Sequence, residues 1–189
     1  MSILDLLITI GWVAFWLYWL VAAIGSKKNS VPRVQHIVVA RLIMFALIVL
    51  LIRTSLTKTV SLNHALFVQS NKWLLSIGFI LFIAGLLLAI WARLYLGDNW
   101  GMPMSLKQDP ELVTTGPYRF IRHPIYTGIL IAMLGSALAS STYWLVILVI
   151  MAIYFIYSAI AEEKIMQRQF PKAYANYKKQ TKMLIPFVL

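Results

Sequence analysis

The chain has 189 residues, of which 61% are hydrophobic and only 12% are charged, and this balance excludes an ordinary soluble domain. It has no cysteine, which excludes disulfides, thiolate metal ligands and a cysteine nucleophile. The formal net charge is +11, which basic cytoplasmic loops and attraction to anionic membrane lipids explain better than nucleic acid. We therefore expect one membrane domain over residues 1–189.

Five apolar stretches approach the roughly 20 residues that a helix needs to cross the hydrocarbon core. The first lacks a basic n-region and a cleavage site, so we expect a retained span. The fourth is short, but only a serine-rich segment separates it from the fifth, so the two are predicted to form a helical hairpin. The fold class is predicted to be all-α, a polytopic membrane protein with about five transmembrane helices and a cytoplasmic amphipathic C-terminal helix. The predicted spans are about 3–24, 37–53, 73–96, 124–139 and 143–161.

Most lysines and arginines outside the spans follow the first, third and fifth apolar stretches. The positive-inside rule then predicts an N-terminus outside and a C-terminus in the cytoplasm, as an odd number of spans requires. Arg41 and Arg93 fall near cytoplasmic helix ends. There they can either snorkel to the interface or serve a site.

The longest cytoplasmic loop, between the third and fourth spans, is rich in turn-forming residues. Pro124 suits the first turn of the fourth helix, because its missing N–H would have no partner there anyway. The free backbone N–H groups of such a turn favour an anionic group. Arg122 and His123 are therefore expected at the membrane surface, where a helix N-terminus can meet a ligand carboxylate.

Glu162 and Glu163 follow the last span, and the chain has only six acidic residues. They are predicted to lie on a helix that continues over residues 162–177. One interpretation is an amphipathic surface helix with solvated charges, and the other is the acidic side of a pocket. The three histidines are far apart in the sequence, so no metal site is expected. Nucleotide-binding, zinc-protease and serine-elbow motifs are absent.

Residues 112–126 read LVTTGPYRFIRHPIY and resemble the signature of the isoprenylcysteine carboxyl methyltransferase family, which is related to the membrane phospholipid methyltransferases. The Gly-Asp-Asn-Trp turn at 97–100 is similar to the turn of that family after the preceding span. The pair of glutamates at 162–163, the spaced aromatic residues after it and the closing Leu-Ile-Pro at 184–186 continue the resemblance.

The resemblance implies S-adenosylmethionine as cofactor, bound at the cytoplasmic face between regions 97–126 and 158–186. It implies methyl transfer to a lipophilic acceptor entering from the bilayer, with the C-terminal carboxylate of a prenylated cysteine as one candidate. Glu162 would meet the cofactor's amino group, and Glu162 and Arg122 are the candidate catalytic residues. The implied cofactor-binding residues are Glu111, Leu112, Val113, Tyr118, His123, Pro124, Ile125, Tyr126 and Glu162.

The sequence departs from the family pattern at Ser158. Eukaryotic isoprenylcysteine enzymes have an arginine four residues before the glutamate that corresponds to Glu162. That arginine is thought to hold the substrate carboxylate, and a serine cannot make the same bidentate charged contact. Arg41 or Arg93 could supply that charge from another helix. Ser158 and Arg93 are the candidate substrate-binding residues.

Two other functions stay open at this point. Membrane sterol and steroid reductases have a similar Arg-His-Pro-x-Tyr turn but use NADPH, whose 2′-phosphate an acidic pair would repel. The second is a non-enzymatic membrane protein with a degenerate pocket.

Overall fold

A computed structural model describes residues 2–24, 71–100, 111–140 and 143–185. Within these ranges the regular structure is helical, with short 3-10 turns at Gly97–Asn99 and Gly116–Arg119. The α-helices are α1 (Ile3–Ile24), α2 (Lys72–Leu96), α3 (Pro124–Ala139), α4 (Tyr143–Gln169) and α5 (Pro171–Gln180).

Helices α1, α2 and α4 are each long and apolar enough to cross a membrane. Helix α3 is also apolar but has only 16 residues. These four helices confirm the predicted all-α membrane fold and the short fourth stretch, whose helix begins at Pro124 and ends at Ala139. The predicted span 37–53, with Arg41, lies outside the described residues, so the count of five spans stays a prediction.

Helix α1 is joined to the other helices near its start, where Ser140 Oγ donates to Asp5, and at two further levels. Near its middle, the Trp12 indole N–H donates to Ser136 Oγ on α3 at 3.1 Å, and the ring stacks on Trp144 of α4. At its C-terminal end, the carbonyl of Ala22 accepts a hydrogen bond from Arg93 Nη2 of α2 at 2.6 Å. Helix α1 is thus joined to all three other apolar helices.

Helices α2 and α3 pack with their backbones in contact, and glycines make this approach possible. A Cβ added to Gly85 would lie 2.4 Å from the backbone nitrogen of Ala132, and one added to Gly135 would lie 2.3 Å from that of Phe82. Helix association in membranes depends on such close packing, because lipid tails are as apolar as the side chains. The contact fixes the first turn of α3 relative to α2.

Gly135→Ala is expected to destabilise the protein by about 2 kcal/mol, because the added methyl must push two backbones apart. Thermal unfolding in detergent measures the loss. Ser76→Ala is the control, since it changes an exposed position of α2 and adds no atom to the contact between α2 and α3. Equal unfolding temperatures for the two variants would contradict the packing role of Gly135.

The single helix predicted over residues 162–177 is wrong, because the structure has two helices there. Helix α4 continues through both glutamates to Gln169, and α5 begins at Pro171. A proline lacks the N–H that a helix interior needs, and its ring disfavours the α conformation in the preceding residue. Phe170 accordingly adopts φ −127° and ψ 63°.

The segment after α5 runs beside the entry of α3. The backbone N–H of Arg122 donates to the Lys182 carbonyl at 2.8 Å, and that of His123 donates to the Met183 carbonyl at 3.0 Å. Ile121 and Lys182 form an isolated parallel bridge at the same place. The loop before α3, the end of α4 and the C-terminal segment therefore meet at one end of the helices.

Candidate functional site

Three rings stack where α3 begins beside α4. His123 lies parallel to Tyr126, with ring centroids 5.5 Å apart and planes 4° apart. Tyr126 in turn stacks on Phe155 of α4 at 4.5 Å and 10°. The Pro124 start of α3 fixes this geometry, because positions 123 and 126 then lie about one helical turn apart on the same side.

The carboxylate of Glu162 lies beside this stack. The Tyr126 hydroxyl donates to Glu162 Oε1 at 2.5 Å, and Oε2 lies 3.6 Å from His123 Nδ1. The Glu162 side chain is 25% exposed, whereas that of His123 is 11% exposed. Glu162 is therefore a carboxylate that is held by the protein and can still be reached by a ligand.

The neighbouring carboxylate, Glu163, has a different environment. Its side chain is 7% exposed, and its two oxygens bind Arg122 Nε and Lys178 Nζ, each at 2.6 Å. The interpretation of both glutamates as solvated surface charges is therefore wrong for Glu163. Two adjacent acids on one helix thus divide into a buried, ion-paired group and a partly open one.

Arg122 joins three parts of the chain. Besides its bond to Glu163, one terminal nitrogen donates to the backbone carbonyl of Thr181, and the side chain is 8% exposed. This arrangement ties the entry of α3 to the end of α4 and to the C-terminal segment. The predicted contact between Arg122 and a ligand carboxylate stays a prediction.

Tyr118 is buried beside the site. Its carbonyl accepts a hydrogen bond from the Tyr177 hydroxyl of α5 at 2.6 Å. Burial raises the pKa of the Tyr118 phenol far above its usual value, and nearby Tyr177 and Glu162 act in the same direction. Tyr118 is therefore a neutral phenol.

The predicted cofactor-binding segment at 111–113 is tied to the turn after α2. The backbone N–H of Glu111 donates to Asn99 Oδ1 at 3.3 Å, and Asn99 Nδ2 donates to Glu111 Oε2 at 3.4 Å. Leu112 and Val113 are half-buried, and Val113 packs against the hydrophobic core. The binding role of these three residues stays a prediction.

The two predicted substrate-binding residues are both buried. Arg93 bonds to the carbonyls of Gly97 and Ala22 and lies 4.7 Å from the centre of the Trp100 ring, so it links the ends of α1 and α2. Ser158 lies one helical turn before Glu162, is fully buried, and its Oγ has no hydrogen-bond partner within the described ranges. Substrate binding by Arg93 and Ser158 stays a prediction.

Phe155, Lys178 and Tyr177 were not predicted as site residues. Phe155 precedes Glu162 by seven residues, so helical periodicity alone puts both on one face of α4 and could have indicated it. Lys178 lies beyond the helix break at Pro171, and the single helix predicted over this region could not bring it back to Glu163.

Tyr177→Phe is expected to lower the free energy of unfolding by about 1–2 kcal/mol, since the Tyr118 carbonyl loses its donor.

The contribution of Tyr177 to stability depends on pH. Burial raises the pKa of Tyr177 to about 12 from the usual 10. The unfolded chain therefore loses this proton first, and stability falls as pH rises from about 10 through 12. Unfolding temperatures at pH 8 to 11.5 should fall less steeply for Tyr177→Phe than for wild type, and parallel curves would contradict this.

Comparisons with known proteins agree with this arrangement. The family model of the phospholipid methyltransferases matches residues 73–173, more than half of the chain, and the chain belongs to that family. The match includes helices α2, α3 and α4 and therefore His123, Tyr126 and Glu162.

The fold is similar to that of a solved structure, the eukaryotic intramembrane Ras methyltransferase ICMT (isoprenylcysteine carboxyl methyltransferase). The TM-score is 0.55 at 24% sequence identity, covering 85% of this chain and 55% of that one. A curated relative is the nickel-cobalt-cadmium resistance protein NccN of Alcaligenes xylosoxydans xylosoxydans, 28% identical over 99 residues, which cover 51% of this chain and 42% of the relative. The matches thus span about half the length of these two proteins.

Proposed function

We propose that the chain is an S-adenosylmethionine-dependent integral membrane methyltransferase that acts on a lipophilic acceptor. The observation that carries the proposal is the Glu162 carboxylate, held by Tyr126 beside His123 at the membrane-surface end of α3 and α4. Membership in the phospholipid methyltransferase family supports the same reaction class.

The residues present fit the cofactor's charges. The Glu162 carboxylate suits an ammonium group, and an outer face of the stack formed by His123, Tyr126 and Phe155 would suit a sulfonium. The first turn of α3 has backbone N–H groups without helical partners, which suit a carboxylate. His123 Nε2 is buried and lies 3.8 Å from Glu163 Oε1, so this ring edge faces the ion-paired glutamate.

When bound, S-adenosylmethionine supplies a methyl group that its sulfonium already activates. The task of the chain is then to align donor and acceptor and to exclude water. A carboxylate acceptor, such as that of a prenylated cysteine, needs no base, whereas an amine acceptor must lose a proton, which Glu162 could accept. The ion pairs of Glu163 keep the end of α4, and with it Glu162, in position.

The proposed membrane arrangement gives donor and acceptor separate routes. The lipophilic acceptor enters sideways from the bilayer between the helices, and the cofactor enters from the cytosol. The basic segments after α2 and α4 support a cytoplasmic site and C-terminus, with the N-terminus outside. The chain acts as one membrane domain in this proposal, with Arg93 and Ser158 on the acceptor side.

Calorimetric titration of detergent-purified protein with S-adenosylhomocysteine and with NADPH tests this function. We expect binding of S-adenosylhomocysteine that His123→Ala weakens by roughly tenfold or more, because the ring stack loses its first member. The control is Trp73→Ala, which alters an aromatic residue that is 80% exposed at the other end of α2. Binding of NADPH in place of S-adenosylhomocysteine would reject the methyltransferase in favour of a reductase.

A further inference from the structure

A second polar feature lies beside the last turns of α4, in a cavity of about 530 Å³. Its charged lining consists of four basic side chains and one carboxylate. The basic residues are Arg122, Lys164, Lys178 and Lys182, and the carboxylate is that of Glu163.

The charges in this cavity do not balance. Glu163 is already bound by both Arg122 and Lys178 at 2.6 Å. Lys164 and Lys182 are exposed and have no carboxylate partner among the residues that the structure describes. The cavity is therefore positively charged, and its two unpaired ammonium groups suit a phosphate.

The cavity lies at the end of an apolar stripe on the exposed face of α4. The stripe residues recur at spacings of three and four and are 45–66% exposed, and Lys164 follows the last of them by one helical turn. Ile160, the last stripe residue, also lines the cavity, together with Met183. The stripe consists of Val146, Val149, Ile153, Tyr157 and Ile160.

We propose that this cavity binds the phosphate headgroup of an anionic phospholipid from the surrounding bilayer. The acyl chains lie along the exposed apolar stripe of α4. The headgroup meets Lys164 and Lys182 where the stripe ends. A soluble phosphate would use only the basic end, whereas a lipid uses both features. Basic pockets at the ends of membrane helices are suited to anionic headgroups.

The proposal is separate from the proposed methyl transfer. Glu163 faces this cavity, whereas Glu162, on the preceding position of α4, bonds to Tyr126 at the ring stack. A bound lipid here would seat the last turns of α4 at the membrane surface. Loss of the bound lipid need not change the binding of S-adenosylhomocysteine, so the two proposals can fail independently.

Native mass spectrometry of the full chain, released from micelles that contain phosphatidylglycerol or phosphatidylcholine, tests this site. We expect preferential retention of phosphatidylglycerol. Lys164→Gln with Lys182→Gln should raise its apparent Kd at least about tenfold. The matched control, Lys172→Gln with Lys179→Gln, removes the same charge from exposed positions of α5 outside the cavity and should change Kd less than about twofold.

Three results would overturn the proposal. Equal retention of the two lipids would show that the headgroup charge is not recognised. Equal weakening by the two double variants would show general charge attraction rather than a site. Displacement of phosphatidylglycerol by millimolar inorganic phosphate would identify a soluble phosphate as the ligand instead of a lipid.

Discussion

Glu162→Gln is expected to lower the affinity for S-adenosylhomocysteine by about 100-fold, or on the order of 2–3 kcal/mol. The substitution keeps the shape of the side chain and removes the charge that would meet the ligand's ammonium. The Tyr126 hydroxyl can still donate to the amide oxygen, so the geometry beside the ring stack is kept. Isothermal titration calorimetry of the purified protein measures the change.

Two controls separate charge from position. Asp5→Asn removes an acidic charge at the start of α1, beside Ser140 at the opposite end of α3 from His123, and should leave the affinity within about twofold. Tyr126→Phe leaves the charge of Glu162 but removes the hydrogen bond that orients it, so we expect a loss of roughly tenfold. Glu162→Gln with wild-type affinity would mean that Glu162 is not the ammonium partner.

Glu163→Gln, by contrast, is expected to act on stability. Removing this carboxylate leaves Arg122, whose side chain is 8% exposed, as an uncompensated buried charge, at a cost of about 3 kcal/mol. Lys178 contributes less, because its side chain is 48% exposed. Denaturant unfolding in detergent micelles measures the loss.

A double-variant cycle identifies the origin of this effect. Arg122→Met combined with Glu163→Gln removes both members of the pair, so its cost should be smaller than the sum of the two single costs by at least about 1 kcal/mol. Additive costs would show that the two side chains act independently. Glu162→Gln is the matched control at the adjacent position and should unfold close to wild type.

The helices of this protein follow from its sequence more directly than the site does. Apolar length fixes α1, α2 and α4, and the proline at 124 and the serines after 139 fix α3. The break at Pro171 could also have been predicted from the sequence, because a proline inside a helix removes a backbone hydrogen bond. The amphipathic spacing of the aromatic residues around it favoured the continuous helix that was predicted.

The different environments of the two glutamates, one buried and ion-paired and the other partly open, could not be predicted in the same way. Glu163 is buried because Arg122 and Lys178 reach it from 41 and 15 residues away. Local sequence gives both acids the same neighbours and the same helix. Only the tertiary arrangement, in which the C-terminal segment lies beside the entry of α3, makes one acid structural and leaves the other beside the ring stack.

Transfer of a labelled methyl group from S-adenosylmethionine to a lipophilic acceptor tests the central claim most directly. Purified protein is incubated with prenylcysteine analogues and, separately, with lipid amines, and label is counted in the organic extract. We expect incorporation with at least one acceptor class by wild type and by Asp5→Asn, and at least about 100-fold less by Glu162→Gln. Equal incorporation by wild type and Glu162→Gln would contradict the account. So would protein that binds NADPH and transfers label to none of the acceptors.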